Sequence, residues 1–127
     1  MYKSTIKHTK DFVFTVSSEG GTFVIDAKGK EGITPPDTLL ASLGSCIGVY
    51  IRKYAEGAKL TIENFSLSLE AELSKEAPVG FRLIRVSVDL SASGLDERRI
   101  KALAEFIKNC PVHNTLHGNP QVEIELL

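Results

Sequence analysis

The chain has 127 residues, 43% of them hydrophobic, and a formal net charge of −1 at pH 7. This length predicts a single domain over residues 1–127, and the hydrophobic fraction suffices for a core without a disulfide framework. The 15 basic residues are scattered rather than clustered, which argues against a nucleic acid partner. Two cysteines in a chain of this length are unlike the dense crosslinks of small secreted domains.

The apolar segments of the sequence bear on its compartment. Residues 1–8 contain no apolar stretch of the kind that forms a signal peptide. The longest apolar run, 39–51, is shorter than the roughly 20 residues needed to cross a bilayer. We therefore expect a soluble, cytoplasmic protein with no membrane partner, in a compartment that keeps thiols reduced.

The first quarter of the sequence has the pattern of antiparallel strands. Apolar and polar residues alternate over 12–17, two glycines follow, and a β-rich segment resumes over 22–26. This combination predicts a β-hairpin with a glycine turn. Residues 2–9 predict a further edge strand.

A long helix is predicted next. Thr34 can cap it, Pro35 suits the first helical position, and Asp37 completes the spacing of a capping box. The pattern runs to about Glu56, and Gly57 is expected to end it. The helix is apolar on nearly all sides, which predicts burial on most faces. Small residues that would let a neighbouring backbone come close are Gly44, Ser45 and Gly48.

Two more strands are predicted over 65–73 and 81–90, because apolar and polar residues alternate in both. The phase of this alternation changes between Leu83 and Ile84, which indicates a bulge or a local twist. Val122, Ile124 and Leu126 alternate with acids and predict a final strand.

A second helix is predicted to begin at Ser93-Gly94-Leu95-Asp96, which has capping-box spacing. Its buried stripe is expected to comprise Ile100, Leu103 and Ile107 and to reach Cys110. The order of all these elements is that of an α+β domain.

Cys110 stands where the second helix pattern ends, directly before Pro111. The proline predicts a new short helix over 111–117 with Cys110 as its N-cap. A helix start favours a thiolate, and His113 is placed to exchange a hydrogen bond with the sulfur. Alternatively, Cys110 is only the buried end of the apolar stripe. The residues alone leave these two interpretations open.

Cys46 lies in the middle of the long helix, among apolar neighbours. An apolar setting disfavours a thiolate, so local context alone indicates a structural core cysteine. Cys110, His113 and His117 have the spacing C-x2-H-x3-H, yet no second pair of ligands accompanies them. We therefore predict no metal site.

Taken together, two segments resemble the OsmC/Ohr family. Residues 35–46, PPDTLLASLGSC, place a proline eleven residues before a helical cysteine and resemble the family's first active-site segment. Residues 110–115, CPVHNT, resemble its second segment, a Cys-Pro-x-Ser-Asn-x-Thr pattern. The separation of the segments and the order of the elements also fit, so the resemblance covers most of the chain.

The resemblance implies an OsmC-like fold, in which antiparallel sheets wrap around two long central helices of an intertwined homodimer. It also implies a peroxidase of oxidative stress defence that reduces organic hydroperoxides without a cofactor. Cys46 would be the peroxidatic thiol, Cys110 the resolving thiol and an external dithiol the reductant. The apolar surroundings of Cys46 would form a pocket for a small hydrophobic hydroperoxide or ligand.

Departures from the family pattern bear on reactivity. Where characterised peroxidases have a glutamate ten residues before the first cysteine, this chain has Pro36, and the acid at Asp37 is a candidate for its role. His113 replaces the family's serine and is a further candidate site residue. The family's N-terminal arginine is absent. Its positive charge would have to come from Arg52, Arg82, Arg85 or a lysine.

These departures motivate two alternatives to a peroxidase. One is a non-peroxidase OsmC-like protein that senses redox state or binds a small hydrophobic ligand. The other is a purely structural role for both cysteines.

Overall fold

The computed structural model describes all 127 residues, and it has the predicted α+β class. The elements are β1 (Ser4–Lys10), β2 (Val13–Ser18), β3 (Gly21–Asp26), α1 (Pro35–Ala58), β4 (Ser66–Leu73), β5 (Phe81–Asp89), α2 (Glu97–Phe106) and α3 (Pro111–Gly118). Short 3₁₀ turns lie before and after α2, at Ser91–Ser93 and Ile107–Asn109. Two compact units are distinguishable, Met1–Ala41 and Ser42–Leu127. None of the helices combines the length and apolar character that a membrane span requires.

The first unit contains a three-stranded antiparallel sheet in the order β1-β2-β3, so the predicted hairpin and edge strand are confirmed. Ser18 pairs with Gly21 across the turn. Beyond β3 the carboxylate of Asp26 accepts backbone N–H groups from Lys28, Lys30 and Glu31 at 2.9–3.2 Å. These bonds hold the loop that leads toward α1, because they satisfy donors that no strand partner reaches.

The start of α1 confirms the predicted cap. The Thr34 hydroxyl accepts the backbone N–H of Asp37 at 3.2 Å and donates to the Asp37 carboxylate at 2.8 Å. In a standard capping box the acid accepts the backbone N–H of the cap residue, whereas here it accepts the cap hydroxyl. The carboxylate of Asp37 is thus engaged in starting the helix.

The end of α1 differs from the prediction. Gly57 lies inside the helix, and Lys59 takes the left-handed conformation, with φ of 56°. Leu60 N–H donates to the Ala55 carbonyl and Lys59 N–H to the Glu56 carbonyl, which is the bond pair of a Schellman motif. A lysine thus occupies the position where glycine is usual, and the turn is closed by these two bonds.

In the second unit, β4 and β5 form an antiparallel hairpin. The predicted irregularity is confirmed, because Ala71 pairs with Ile84 but Leu73 pairs with Phe81, which leaves one extra residue on β5. The buried core residues are Leu43, Ile47, Ile51, Ala55, Ile62, Leu103 and Cys110, and the apolar face of the hairpin packs against them.

Gly44 explains why α1 contains small residues. A Cβ at this position would lie 2.7 Å from Cδ1 of Leu69, well inside van der Waals contact. The close neighbour is therefore a side chain of β4 rather than another backbone. Burial of α1 is one-sided in the single chain, because Val49 is 50% exposed on another face. The prediction of burial on most faces is wrong for one copy.

Two predictions about α2 need correction. The N-cap is Asp96, whose carboxylate accepts the N–H of Arg99 at 2.8 Å, and not Ser93, which lies in the preceding 3₁₀ turn. Ile100 is 46% exposed, so the buried stripe begins only at Leu103. Gly94, with φ of 65°, turns the chain between the two and moves the helix start three residues on.

The predicted final strand is not formed. Residues 119–127 have no regular secondary structure, and Val122, Ile124 and Leu126 are 76%, 84% and 93% exposed. Alternation marks a segment that can become a strand, but a strand also needs a partner for its backbone groups. None of the five strands of this chain supplies one.

Candidate active site

Cys110 lies at the N-cap of α3, as the proline after it predicts. Pro111 occupies the first helical position, and the backbone N–H of His113 points at Sγ of Cys110, 3.4 Å away. The side chain is fully buried against Leu103 and Ile47 of the core. The predicted position is therefore confirmed, because Cys110 caps a helix and also ends the apolar stripe.

The buried setting decides the protonation of Cys110. Desolvation raises the pKa of its thiol, and the neighbouring Cys46 raises that pKa further. The N–H groups of His113 and Val112 lower the pKa, but by less than burial raises it. Of the two interpretations of Cys110 that the sequence left open, the raised pKa therefore favours the buried, protonated thiol.

Cys46 lies in the middle of α1, beside Cys110. Its side chain is only partly buried and packs at the edge of the core. The two thiols are close together, and both are free in this structure. The fold therefore brings together the cysteines of the two sequence segments, with Cys46 partly buried and Cys110 enclosed.

A cavity of about 580 Å³ adjoins this part of α1. Leu43 and Ile47, which flank Cys46 on the helix, contribute to its mostly apolar wall, although neither cysteine lines it. The polar side chains in the lining are Arg82, Lys108, His113 and His117. No carboxylate is among them, so the cavity combines an apolar wall with groups that are cationic or can become so.

The arginines considered as substitutes for the family's N-terminal arginine have different positions. Arg52 donates to the carbonyl of Ile62 at 3.0 Å and lies 3.7 Å from the carboxylate of Glu56, which ties the end of α1. Arg85 lines a second groove, along the β4–β5 hairpin, which Arg82 also borders. Arg82 is the arginine that lines the cavity, and its guanidinium donates to the carbonyl of Pro78 at 2.7 Å.

The sequence reading missed the place of His117, which was considered only as a metal ligand. Its ring stacks on that of His113, with centroids 6.1 Å apart and planes at 14°. The i, i+4 spacing on the predicted short helix is the signal that places both rings on one face. The structure contains no group of three or more His, Cys, Asp or Glu side chains arranged to hold a metal ion.

Comparison with known proteins supports the resemblance. The family described as OsmC-like protein matches residues 27–125. A hydroperoxide reductase of Mycoplasma genitalium is 25% identical over 132 aligned residues, covering 98% of this chain and 93% of the relative. A second hydroperoxide reductase, from Mycoplasma pneumoniae, is 26% identical with the same coverage.

The fold agrees with a solved structure of the same kind. The crystal structure of an OsmC-like protein from Mycoplasma pneumoniae superposes with a TM-score of 0.83 and 26% identity, over 93% of this chain and 88% of that one. The family match, the fold and the pair of neighbouring cysteines point in one direction. The chain belongs to the family of OsmC-like proteins.

Proposed function

We propose that this protein is a thiol peroxidase that reduces organic hydroperoxides through Cys46 and Cys110. The observation that carries the proposal is the unequal exposure of two neighbouring thiols. A hydroperoxide that comes from solvent can reach partly exposed Cys46, whereas Cys110 is enclosed. The relatives named hydroperoxide reductase support the same activity.

In the first step the Cys46 thiolate attacks the terminal oxygen of the hydroperoxide. A sulfur–oxygen bond forms and the O–O bond breaks, so that Cys46 becomes a sulfenic acid and the alkoxide leaves and takes up a proton. Cys46 is oxidised by two electrons, and the hydroperoxide is reduced to an alcohol. The organic group would occupy the apolar cavity beside Leu43 and Ile47.

In the second step Cys110 attacks the sulfur of the Cys46 sulfenic acid. A disulfide forms and hydroxide leaves, which with the proton of Cys110 makes water. An external dithiol then reduces the disulfide, is itself oxidised to a disulfide, and restores both thiols. Because the two thiols are neighbours, this attack is intramolecular. The proximity of the sulfurs offsets the low thiolate fraction that the raised pKa of Cys110 causes.

The test is turnover of cumene hydroperoxide with dithiothreitol as the reductant. Cys46→Ser is expected to abolish turnover. In the absence of dithiothreitol, Cys110→Ser should undergo one oxidation that ends in a sulfenic acid, which dimedone labels. Ser45→Ala is the matched control, because Ser45 is the exposed neighbour on the same helix and bonds only to the Ser42 carbonyl. Turnover that survives in Cys46→Ser contradicts the proposal. Absence of turnover in the wild type, with a ligand retained in the cavity, favours the ligand-binding alternative.

We further propose that two copies associate as a homodimer. The C-terminal segment alternates apolar and acidic residues, yet Val122, Ile124 and Leu126 are largely exposed in one copy. Pairing with a second copy would satisfy the backbone of this segment and cover its apolar face. Light scattering should give twice the mass of 13.9 kDa, and Ile124→Lys should shift it toward the monomer. A monomeric wild type at micromolar concentration refutes this part of the proposal.

A further inference from the structure

We propose that His113 supplies the proton that the departing alkoxide needs. This inference rests on the peroxidase function proposed above and names one more residue for its first step. An alkoxide is a poor leaving group, and a positioned acid typically accelerates such a step by about 10²–10⁴-fold. In the proposed function the organic part of the hydroperoxide occupies the cavity, so a group in the cavity lining is the candidate proton donor.

The position of His113 suits this role. Its backbone N–H contacts Sγ of Cys110, so the residue is fixed beside the thiol pair, while its side chain lines the cavity. Its imidazole makes no hydrogen bond within the chain, and stacking on His117 restricts its orientation. The residue is also exposed, so that solvent can return the proton after each turnover.

Arg82 and Lys108, two other polar residues at the cavity, are less suited to donate a proton. A guanidinium keeps its proton throughout the physiological range, so Arg82 can stabilise negative charge but not protonate the alkoxide. The ammonium of Lys108 lies 2.9 Å from the carboxylate of Glu105. The charged or titratable residues that share the cavity lining with His113 are Arg82 from β5, Lys108 from the turn after α2 and His117 from α3, and the thiol of Cys110 lies at the start of the same helix.

The Cys46 thiolate, the hydroperoxide and the His113 imidazolium give the Cys46 sulfenic acid, the alcohol and neutral His113. His113 then takes a proton from water.

The test compares two oxidants that differ in their need for an acid. Cumene hydroperoxide releases an alkoxide, whereas peracetic acid releases acetate, which leaves without a proton. Single-turnover oxidation of Cys46 is followed by quenched mass spectrometry, for the wild type, His113→Gln and the control His8→Gln. His8 lies on β1 and does not line the cavity.

We expect His113→Gln to slow oxidation by cumene hydroperoxide about 100-fold, in line with the loss of a general acid, and to leave oxidation by peracetic acid nearly unchanged. In the wild type, the ratio of the cumene hydroperoxide rate to the peracetic acid rate should fall as pH rises, because only a protonated imidazole can donate a proton. Both oxidants react with the same Cys46 thiolate, so the pH dependence of the thiolate fraction divides out of this ratio. In His113→Gln the ratio should therefore be independent of pH. His8→Gln should behave as the wild type.

Two results would overturn the inference. If His113→Gln slows the oxidation of Cys46 by both oxidants equally, His113 only shapes the site. If it slows neither reaction, the proton comes from another group. If neither oxidant modifies Cys46 in the wild type, the peroxidase proposal itself fails and this inference fails with it. The wild-type measurement therefore separates the two failures.

Discussion

Replacement of the helical glycines of α1 by alanine tests the packing that supports Cys46. Alanine stabilises a helix interior by about 1 kcal/mol relative to glycine. At Gly48 the new methyl group would lie 3.8 Å from Leu67 and Phe65, which is ordinary contact. At Gly44 it would lie 2.7 Å from Cδ1 of Leu69, so this side chain must move.

The balance of these two terms sets the expected result. Moving Leu69 in a packed interior costs about 1–3 kcal/mol, at the lower end because the clash is with the tip of a side chain. Gly48→Ala should therefore raise the free energy of unfolding by about 1 kcal/mol. Gly44→Ala should be neutral or destabilising by up to about 2 kcal/mol, which is the overpacking cost less the helix gain.

Urea unfolding under reducing conditions measures both variants, and the double variant with Leu69→Ala provides the control. In the Leu69→Ala background the clash is absent, so Gly44→Ala should then be stabilising by about 1 kcal/mol, like Gly48→Ala. If Gly44→Ala stabilises the wild type as much as Gly48→Ala does, the close approach of Leu69 is not a constraint. The packing argument for Gly44 is then wrong.

Three further predictions concern single side chains. Backbone N–H groups of Lys28, Glu31 and Lys30 lower the pKa of Asp26. The ionised carboxylate should therefore stabilise the fold fully above about pH 4, and this stabilisation should be lost as pH falls through the folded pKa. Denaturation of the wild type and of Asp26→Asn at several pH values measures the effect, and a difference in unfolding free energy that does not change with pH contradicts it. The raised pKa of Cys110 gives the opposite pH dependence. The stability of the wild type relative to Cys110→Ala should be greatest below about pH 8.5 and should decline above it, because the unfolded chain then loses its thiol proton first. A stability difference that grows with pH would be incompatible with a buried neutral thiol. Lys59→Gly should raise the melting temperature by a few degrees, because it relieves about 1 kcal/mol of left-handed strain, and a lower melting temperature would show that the lysine side chain stabilises the turn.

The sequence predicted helix starts and the strand bulge correctly where the residues that carry the signal act directly on the neighbouring backbone. Thr34 and Pro111 start helices because a cap and a fixed φ act on the adjacent backbone, which the sequence displays directly. The bulge near Ile84 was visible for the same reason, as a change of phase along one strand. Such features depend on few residues and on no distant partner.

The predictions that failed depend on partners elsewhere. The alternation of Val122, Ile124 and Leu126 is that of a strand, but only an available strand edge makes it one. Ser93 and Asp96 both have the character of a cap, and Gly94 decides between them by turning the chain. Lys59 ends α1 in place of Gly57 because the closing hydrogen bonds outweigh the cost of a left-handed lysine.

The relative roles of the two thiols show the same division between local and tertiary effects. From the sequence, Cys110 has every local advantage of an activated thiol, namely a helix start, a following proline and a nearby histidine. Burial overrides them, because the full desolvation of Cys110 opposes a thiolate more than two backbone N–H groups favour it. Cys46 has no local advantage, yet it is the less buried residue of the pair. In the mechanism proposed above, access and desolvation, which the fold creates, therefore set the order of reaction, rather than the residues beside each cysteine. In that mechanism a peroxide meets Cys46 first, and Cys110 acts on the oxidised Cys46.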